Sequence, residues 1–141
     1  MATMTAVFRW SAERHAWQRL PFGLPEGARI VDSQGRDAGC RIADIDEDGH
    51  PDVIFSDAQR CALHLFNSMD QGWSRTIFAR TRGDANAIPA FVRADGTNNG
   101  VWLKHRRLNA QNEDTGIEVQ LKGKNVRIPS DARWYAELLG R

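Results

Sequence analysis

The stretch Asp44-Ile45-Asp46-Glu47-Asp48-Gly49-His50-Pro51-Asp52 is the most specific pattern in the chain, and it indicates both a site and the fold around it. Its aspartates alternate around one glycine, which suits a tight loop around a hard cation, because calcium takes several oxygen ligands at short distance. Gly49 permits the sharp turn, since a residue without Cβ reaches a positive φ at low cost. The candidate calcium ligands are the carboxylates of Asp44, Asp46, Asp48 and Asp52 and the main-chain carbonyl of His50.

The alternative for this acidic loop is a solvated turn, because Asp and Gly both favour turns. The stretch 44–52 holds four Asp and one Glu, and like charges that close repel each other unless something neutralises them. The alternation with a placed glycine is also a known pattern of cation-binding loops. We therefore predict a calcium site here.

The residues on either side of the loop decide which kind of calcium loop it is. An EF-hand needs an acidic residue at loop position 12 and helices on both sides, but that position is Phe55 when Asp44 is the first. The flanks 40–43 and 53–55 are short, apolar and partly β-branched, as strands are. The loop is therefore predicted to join two strands, and an EF-hand is disfavoured.

Composition excludes several classes of protein. The chain has 141 residues, which predicts a single domain, and its 19 basic and 18 acidic residues give no overall attraction to nucleic acid. No apolar run is long enough to span a bilayer, and residues 1–4 lack the basic start and apolar core of a signal peptide. We predict no nucleic-acid partner and no membrane insertion. Modest-affinity calcium loops are common outside the cell, which favours an extracytoplasmic (periplasmic or secreted) location.

The two cysteines, Cys40 and Cys61, flank the acidic loop and the strand after it. They allow a disulfide between neighbouring strands in an oxidising compartment. They equally allow two buried free thiols, because Cys is often a small core residue.

Alternating segments predict strands over 7–10 and 17–22, over 62–66 and 73–78, and over 117–121 and 126–128, each pair forming a hairpin, and the first two hairpins repeat. Residues 7–22 align without a gap on residues 63–78, so that Trp17 lies on Trp73 and Phe22 on Phe78. The predicted organisation of the single module 1–141 is a half repeat over 7–22, a complete repeat over 40–78, a degenerate repeat over 91–128 and a helix over 130–139. The Gly-rich loop of the degenerate repeat keeps only Asp95 as a carboxylate, so we expect no strong metal site there.

The stretch Ile42–Phe55, followed by two more strands, resembles the FG-GAP/VCBS repeat, which builds the blades of integrin-α-like β-propellers. The resemblance implies an all-β partial propeller of two to three antiparallel four-stranded blades, with calcium between the first two strands of a blade. Propellers usually have four or more blades. We therefore expect self-association into an oligomer, or additional blades in a longer chain.

A second resemblance, of residues 95–115, is to the propeller region of planctomycete-type multidomain proteins that also carry haem-binding and dehydrogenase-like domains. It implies an accessory region of such a larger protein.

Other chemistry has little support in the sequence. The four histidines have no zinc-type spacing with the cysteines, and there is no nucleophile elbow, phosphate loop or C-x-x-C-H motif. His64 is expected to face the opposite side of its strand from Leu63 and Leu65. We predict a non-enzymatic calcium-binding module for interaction or scaffolding, with a protein or glycan partner.

The tryptophans leave an alternative function open. They can stack on sugars at a lectin-like site, or they can form a core between blades, which is favoured at repeat-equivalent positions; the residues are Trp10, Trp17, Trp73 and Trp102. The basic run 104–107 can contact phosphate or acidic sugar, but a solvated strand edge is favoured.

Overall fold

Every regular element in the described part of the chain is a β-strand, and every strand pair is antiparallel. The computed structural model describes residues 5–84, 87–104, 107–112 and 117–121. Within these ranges the strands are β1 (Phe8–Ser11), β2 (Ala16–Arg19), β3 (Cys40–Ala43), β4 (Asp52–Ser56), β5 (Arg60–Leu65), β6 (Arg75–Thr81), β7 (Val101–Lys104), β8 (Arg107–Asn112) and β9 (Ile117–Leu121). The predicted all-β antiparallel class is confirmed. The predicted helix over 130–139 lies outside the described residues.

A search of the described residues for a membrane span finds no helix of sufficient length and apolar character.

The first hairpin, β1–β2, is a separate two-stranded sheet in which Trp10 pairs with Trp17. The sequence predicted its second strand to reach Phe22, and this is wrong, because β2 ends before Leu20. Pro21 has no N–H to donate to a strand ladder and therefore ends the strand. The chain then crosses to the next sheet.

The central sheet contains β3, β4, β5 and β6 in chain order, so each strand is joined to its neighbour by a hairpin. β4 is buried along its whole length, as its apolar and β-branched sequence Val53-Ile54-Phe55 favours. The acidic loop joins β3 to β4, as predicted. The last strand differs from the prediction of 73–78: β6 runs over 75–81, and Trp73 lies in the turn before it.

Each face of the central sheet buries its own set of side chains, because neighbouring residues of a strand point to opposite faces. One core contains Ile45, Ile54, Cys61, Leu63, Leu65, Phe78, Ile88 and Phe91. The other contains Ala28, Cys40, Val53, Phe55 and Ala62. His64 stacks on Phe55, with ring centroids 6.4 Å apart, so it lies on the face opposite Leu63 and Leu65, as predicted.

The two cysteines are free thiols, and both are buried. Cys40 belongs to one core and Cys61 to the other, on opposite faces of the sheet. The sequence allowed either a disulfide or two buried free thiols, and the structure has the free thiols. Burial raises the pKa of Cys40 to about 11, so this thiol stays protonated at neutral pH.

Two turns, one before β3 and one before β7, have the same architecture; we call them the first turn (30–39) and the second turn (91–100). Each is closed by an isolated bridge, between Val31 and Asp37 in the first and between Val92 and Asn98 in the second. Three main-chain hydrogen bonds recur at corresponding positions of the two turns. In the first turn they run from Asp32 N to Arg36 O, from Gly35 N to Asp32 O and from Ala38 N to Ile30 O. In the second turn they run from Arg93 N to Thr97 O, from Gly96 N to Arg93 O and from Asn99 N to Phe91 O.

The two turns also end alike. Gly39 and Gly100 have φ angles of 80° and 86°. The amide of Gly39 donates to the Asp37 carboxylate at 2.8 Å, and the amide of Gly100 donates to the Asn98 side chain at 2.6 Å. A side-chain oxygen two residues before each glycine therefore fixes the entry into the next strand.

This correspondence differs from the sequence expectation for the segment 91–103. Its Gly-rich loop, with Asp95, was expected to correspond to the acidic loop, but it matches the first turn instead. At the place that corresponds to the acidic loop, residues 105–106 alone connect β7 to β8.

The third sheet has the order β7-β8-β9. The sequence did not predict β8, because Arg107–Asn112 contains no β-branched or aromatic residue. The strand at 117–121 was predicted, but with residues 126–128 as its hairpin partner. It pairs with β8; residues 126–128 lie outside the described part of the chain, so the predicted pairing with them stays a prediction.

Candidate metal centre

Three carboxylates of the acidic loop come together at its tip. One oxygen each of Asp44, Asp46 and Asp48 lies within 4.8 Å of the others. Asp44 and Asp46 are half-buried, and Asp48 is exposed. The structure therefore groups three of the four predicted carboxylate ligands.

Main-chain amides of the loop hold these carboxylates in place. Asp44 accepts from Asp48 N at 3.1 Å and from Gly49 N at 2.9 Å, one bond on each oxygen. Asp46 also accepts from Asp48 N at 3.3 Å, and Asp48 accepts from His50 N at 2.8 Å. Such side-chain-to-amide bonds are typical of turns rich in Asp. They orient the acids toward a common centre.

The backbone of the loop is left-handed at two residues. Gly49 has a φ of 91°, as its predicted role in the turn requires. Glu47 has a φ of 60°, which the sequence did not indicate. A non-glycine residue in this region costs on the order of 1 kcal/mol or more, and such strain persists where the surroundings impose it.

Asp52 has a different role from the other three aspartates. It is fully buried, and its carboxylate accepts from Ile45 N at 2.8 Å and from Phe66 N at 2.9 Å. Burial raises its pKa to about 6, the amides of Phe66 and Ile45 oppose this rise, and the nearby charge of Asp46 adds to it. Asp52 therefore ties the base of the acidic loop to the end of β5 and is a positioning residue.

The second half of the loop packs on aromatic side chains. The His50 ring stacks on Phe66, with centroids 5.1 Å apart and planes at 28°. The Trp73 indole donates from Nε1 to the Pro51 carbonyl at 2.7 Å. These contacts hold the end of the loop against the hairpin β5–β6.

A cluster of three rings supports these contacts. Phe22, Phe66 and Trp73 meet edge to face, with centroid distances of 5.5 Å for Phe22–Trp73, 6.2 Å for Phe66–Trp73 and 6.3 Å for Phe22–Phe66. The sequence pointed to Trp73 through the repeat but not to the contact of Phe22 with both rings. A contact between residues so far apart in the chain leaves no local pattern.

The donor set fits a hard divalent cation. Carboxylate oxygens are the ligands that calcium prefers. Each oxygen that accepts one amide bond retains a further lone pair. Calcium takes about six to eight oxygens, so main-chain carbonyls and water would complete the shell.

The tryptophans divide into two groups. Trp73 packs against the core beneath the acidic loop. Trp10, Trp17 and Trp102 are 52%, 67% and 38% exposed. Of these four tryptophans, Trp73 alone therefore behaves as the core residue that the repeat favoured.

Comparison of the chain with protein-family models, with curated proteins and with solved structures finds no match. The interpretation of the acidic loop therefore depends on the geometry of the chain itself. That geometry consists of three gathered carboxylates on a loop whose base is held by Asp52 and Trp73.

Proposed function

We propose that the chain is a non-enzymatic, calcium-binding module for protein interaction or scaffolding, in which the cation holds the loop between β3 and β4. The observation that carries the proposal is the approach of the Asp44, Asp46 and Asp48 carboxylates to within 4.8 Å. These three and the His50 carbonyl are the proposed ligands. Asp52 supports the loop from its base.

Calcium would act on stability rather than on chemistry. Three carboxylates this close repel one another unless a cation neutralises them. A cation that binds the folded loop and not the unfolded chain stabilises the fold by mass action. Because Asp52 and Trp73 join the loop to the hairpin β5–β6, this stabilisation would extend to the central sheet.

The arrangement of the strands supports an FG-GAP/VCBS-like blade. The central sheet has four antiparallel strands in chain order, with the acidic loop between its first two strands. In this interpretation the second turn and β7–β9 begin another blade, and β1–β2 ends a preceding one. The module would be a partial propeller, completed by self-association or by further blades in a longer chain, and located outside the cytoplasm.

A melting experiment with and without chelator tests the proposal. With calcium about a hundredfold above its Kd, binding contributes about 2.7 kcal/mol. For a domain of this size, that raises Tm by about 5–10 °C. Differential scanning calorimetry of the chain in calcium and in EDTA measures the difference, and Asp46→Ala should abolish it.

Asp95→Ala is the matched control, because Asp95 is an exposed aspartate in the second turn and outside the three-carboxylate cluster. That variant should keep the full response to calcium. Identical melting curves of the unsubstituted chain in calcium and in EDTA would contradict the proposal.

A further inference from the structure

The hairpins β1–β2 and β5–β6 carry aromatic pairs of the same geometry. Trp10 and Trp17 meet edge to face, with centroids 5.7 Å apart and planes at 70°. Phe66 and Trp73, the residues that align with them in the repeat, meet at 6.2 Å and 75°. Two such rings form a corner, with the face of one ring and the edge of the other as its walls. We call the corner of Trp10 and Trp17 the first corner and the corner of Phe66 and Trp73 the second corner.

The two corners differ in what fills them. Phe22 fills the second corner, where its ring lies edge to face with both neighbours. It also approaches the backbone of Gly72 so closely that a Cβ there would lie 2.3 Å from the Phe22 ring. In the first corner no third ring is found among the described residues, and Trp10 and Trp17 stay 52% and 67% exposed.

The exposed rings extend into a larger apolar face. Phe8 lies two residues before Trp10, so both point to the same side of β1, and Phe8 is 52% exposed. Arg19 pairs with Phe8 across the strands and adds a cation to that side. We call the side formed by Phe8, Trp10, Trp17 and Arg19 the aromatic face.

The charge of the aromatic face indicates which kind of partner it can bind. Arg19 is the one charged side chain of the aromatic face, because Arg9 alternates with Phe8 and Trp10 and so lies on the opposite side of β1. Two copies that met through this face would bring two positive charges and no negative charge into the contact. An acidic partner would be attracted instead.

The chain itself shows the kind of anchor that such a corner accepts. Phe22 follows Leu20 and Pro21 in the segment that leaves β2, and it fills the second corner of its own chain. It is therefore not available to fill the first corner of another copy.

We propose that the aromatic face is a docking site for an extended acidic peptide segment of a partner protein, anchored by a phenylalanine between Trp10 and Trp17. The proposal adds a partner class to the interaction role inferred above. It does not depend on calcium, so the failure of either proposal is visible without the other.

A synthetic peptide tests this directly. The probe is a capped hexapeptide, Asp-Leu-Pro-Phe-Gly-Glu, titrated into the full chain in calcium buffer and followed by the indole N–H signals in ¹H–¹⁵N NMR. We expect saturable shifts at Trp10 and Trp17. Replacing the phenylalanine of the peptide by alanine should weaken binding at least tenfold, because a buried aromatic anchor dominates such interfaces.

Variants of the chain locate the site. Trp17→Ala should weaken binding at least tenfold, while Trp102→Ala, which removes an exposed indole from another sheet, should leave it unchanged. Arg19→Glu changes an exposed position, and it should weaken the acidic peptide while it strengthens a version with lysines at both ends. This reversal does not depend on the folding of the Trp17 variant.

Four results would overturn the proposal. The first is the absence of saturable shifts at millimolar peptide, and the second is equal binding of the peptides with phenylalanine and with alanine. The third is tighter, Trp17-dependent binding of an oligogalacturonate, which would assign the face to acidic sugar. The fourth is a dimer, detected by sedimentation, that Trp17→Ala dissociates, because a second copy would then be the occupant.

Discussion

The first and second turns share their main-chain hydrogen bonds, but the chain that follows them differs. After the first turn, β3 leads into the acidic loop, residues 44–51; after the second, β7 reaches β8 through residues 105–106 alone. A strand pair therefore forms after this type of turn without any acidic loop. Strand pairing alone therefore does not account for the aspartates of the acidic loop, whose proposed role is to bind calcium.

The turns also differ in charge. Asp37 in the first turn forms an ion pair with Arg41 at 2.6 Å, while Asn98 holds the corresponding position in the second turn. The two turns touch each other, because Arg36 donates to the Asp95 carbonyl at 2.6 Å. They therefore share an architecture while their charges serve different local contacts.

The largest expected effect is a loss of free energy of unfolding when Asp52 is replaced. Asp52 holds the base of the acidic loop, and no such loop follows the second turn. Asp52→Ala leaves the buried amide of Ile45 and the half-buried amide of Phe66 without their acceptor. Each unsatisfied amide costs about 1–3 kcal/mol. Urea unfolding in EDTA should therefore show a loss of about 4 kcal/mol.

Asp48→Ala is the control for Asp52, because Asp48 is an exposed aspartate of the same loop. In EDTA it should cost less than about 0.5 kcal/mol. If the two variants lost equal stability, Asp52 would not be the residue that fixes the base of the loop.

A second variant tests the glycine that the two turns share. In Gly39→Ala the new Cβ would lie 2.6 Å from the Ser56 carbonyl oxygen and 2.9 Å from Val92 Cγ2, at a φ of 80°. Backbone strain and overpacking together should cost about 3 kcal/mol in urea unfolding.

Gly35→Ala separates these two costs. Its φ is 76°, and a Cβ would meet no atom within 4 Å, so only the backbone strain of about 1 kcal/mol applies. Equal losses in the two variants would show that the close approach of β4 to Gly39 is unimportant.

The smallest expected loss of stability comes from Asp37→Asn, which gives the first turn the neutral side chain that Asn98 provides in the second. Asp37→Asn should keep the bond from Gly39 N but remove the ion pair with Arg41, at a cost below about 1 kcal/mol for a partly exposed pair. The hydrogen bond from Arg41 lowers the pKa of Asp37 below the ordinary value of 3.8 for an aspartate.

The lowered pKa sets the pH dependence of this variant. The stability from the Asp37 charge is fully present above pH of about 4 and is lost as the pH falls through the folded-state pKa. The difference between the original chain and Asp37→Asn should therefore shrink below pH of about 4 in acid titrations of unfolding. A difference that stayed constant to pH of about 2 would contradict the role of the ion pair.

Several features followed from local sequence. Alternation predicted β1, β5 and β9, and the flanks of the acidic loop predicted that it joins two strands. The turn at Gly49 followed from the absence of a Cβ. These features depend on residues close in the chain, so their patterns are visible without a structure.

Other features required contacts between distant residues. The strand β8 has no strand-like composition and exists because it pairs on both sides. The equivalence of the two turns appears in hydrogen bonds, since few of their residues are the same. The end of β2 was misplaced because Pro21 outweighed the alternation around it.

The sequence by itself determined the antiparallel β-strands of the described residues and an Asp-rich loop between two of them, because spacing and side-chain type act locally. Only the tertiary structure decided that Asp52 supports that loop from its base, that Phe22 fills one aromatic corner, and that no third ring of the described residues fills the corner of Trp10 and Trp17. Burial and ring contacts depend on which segments meet, and that outcome belongs to the whole fold.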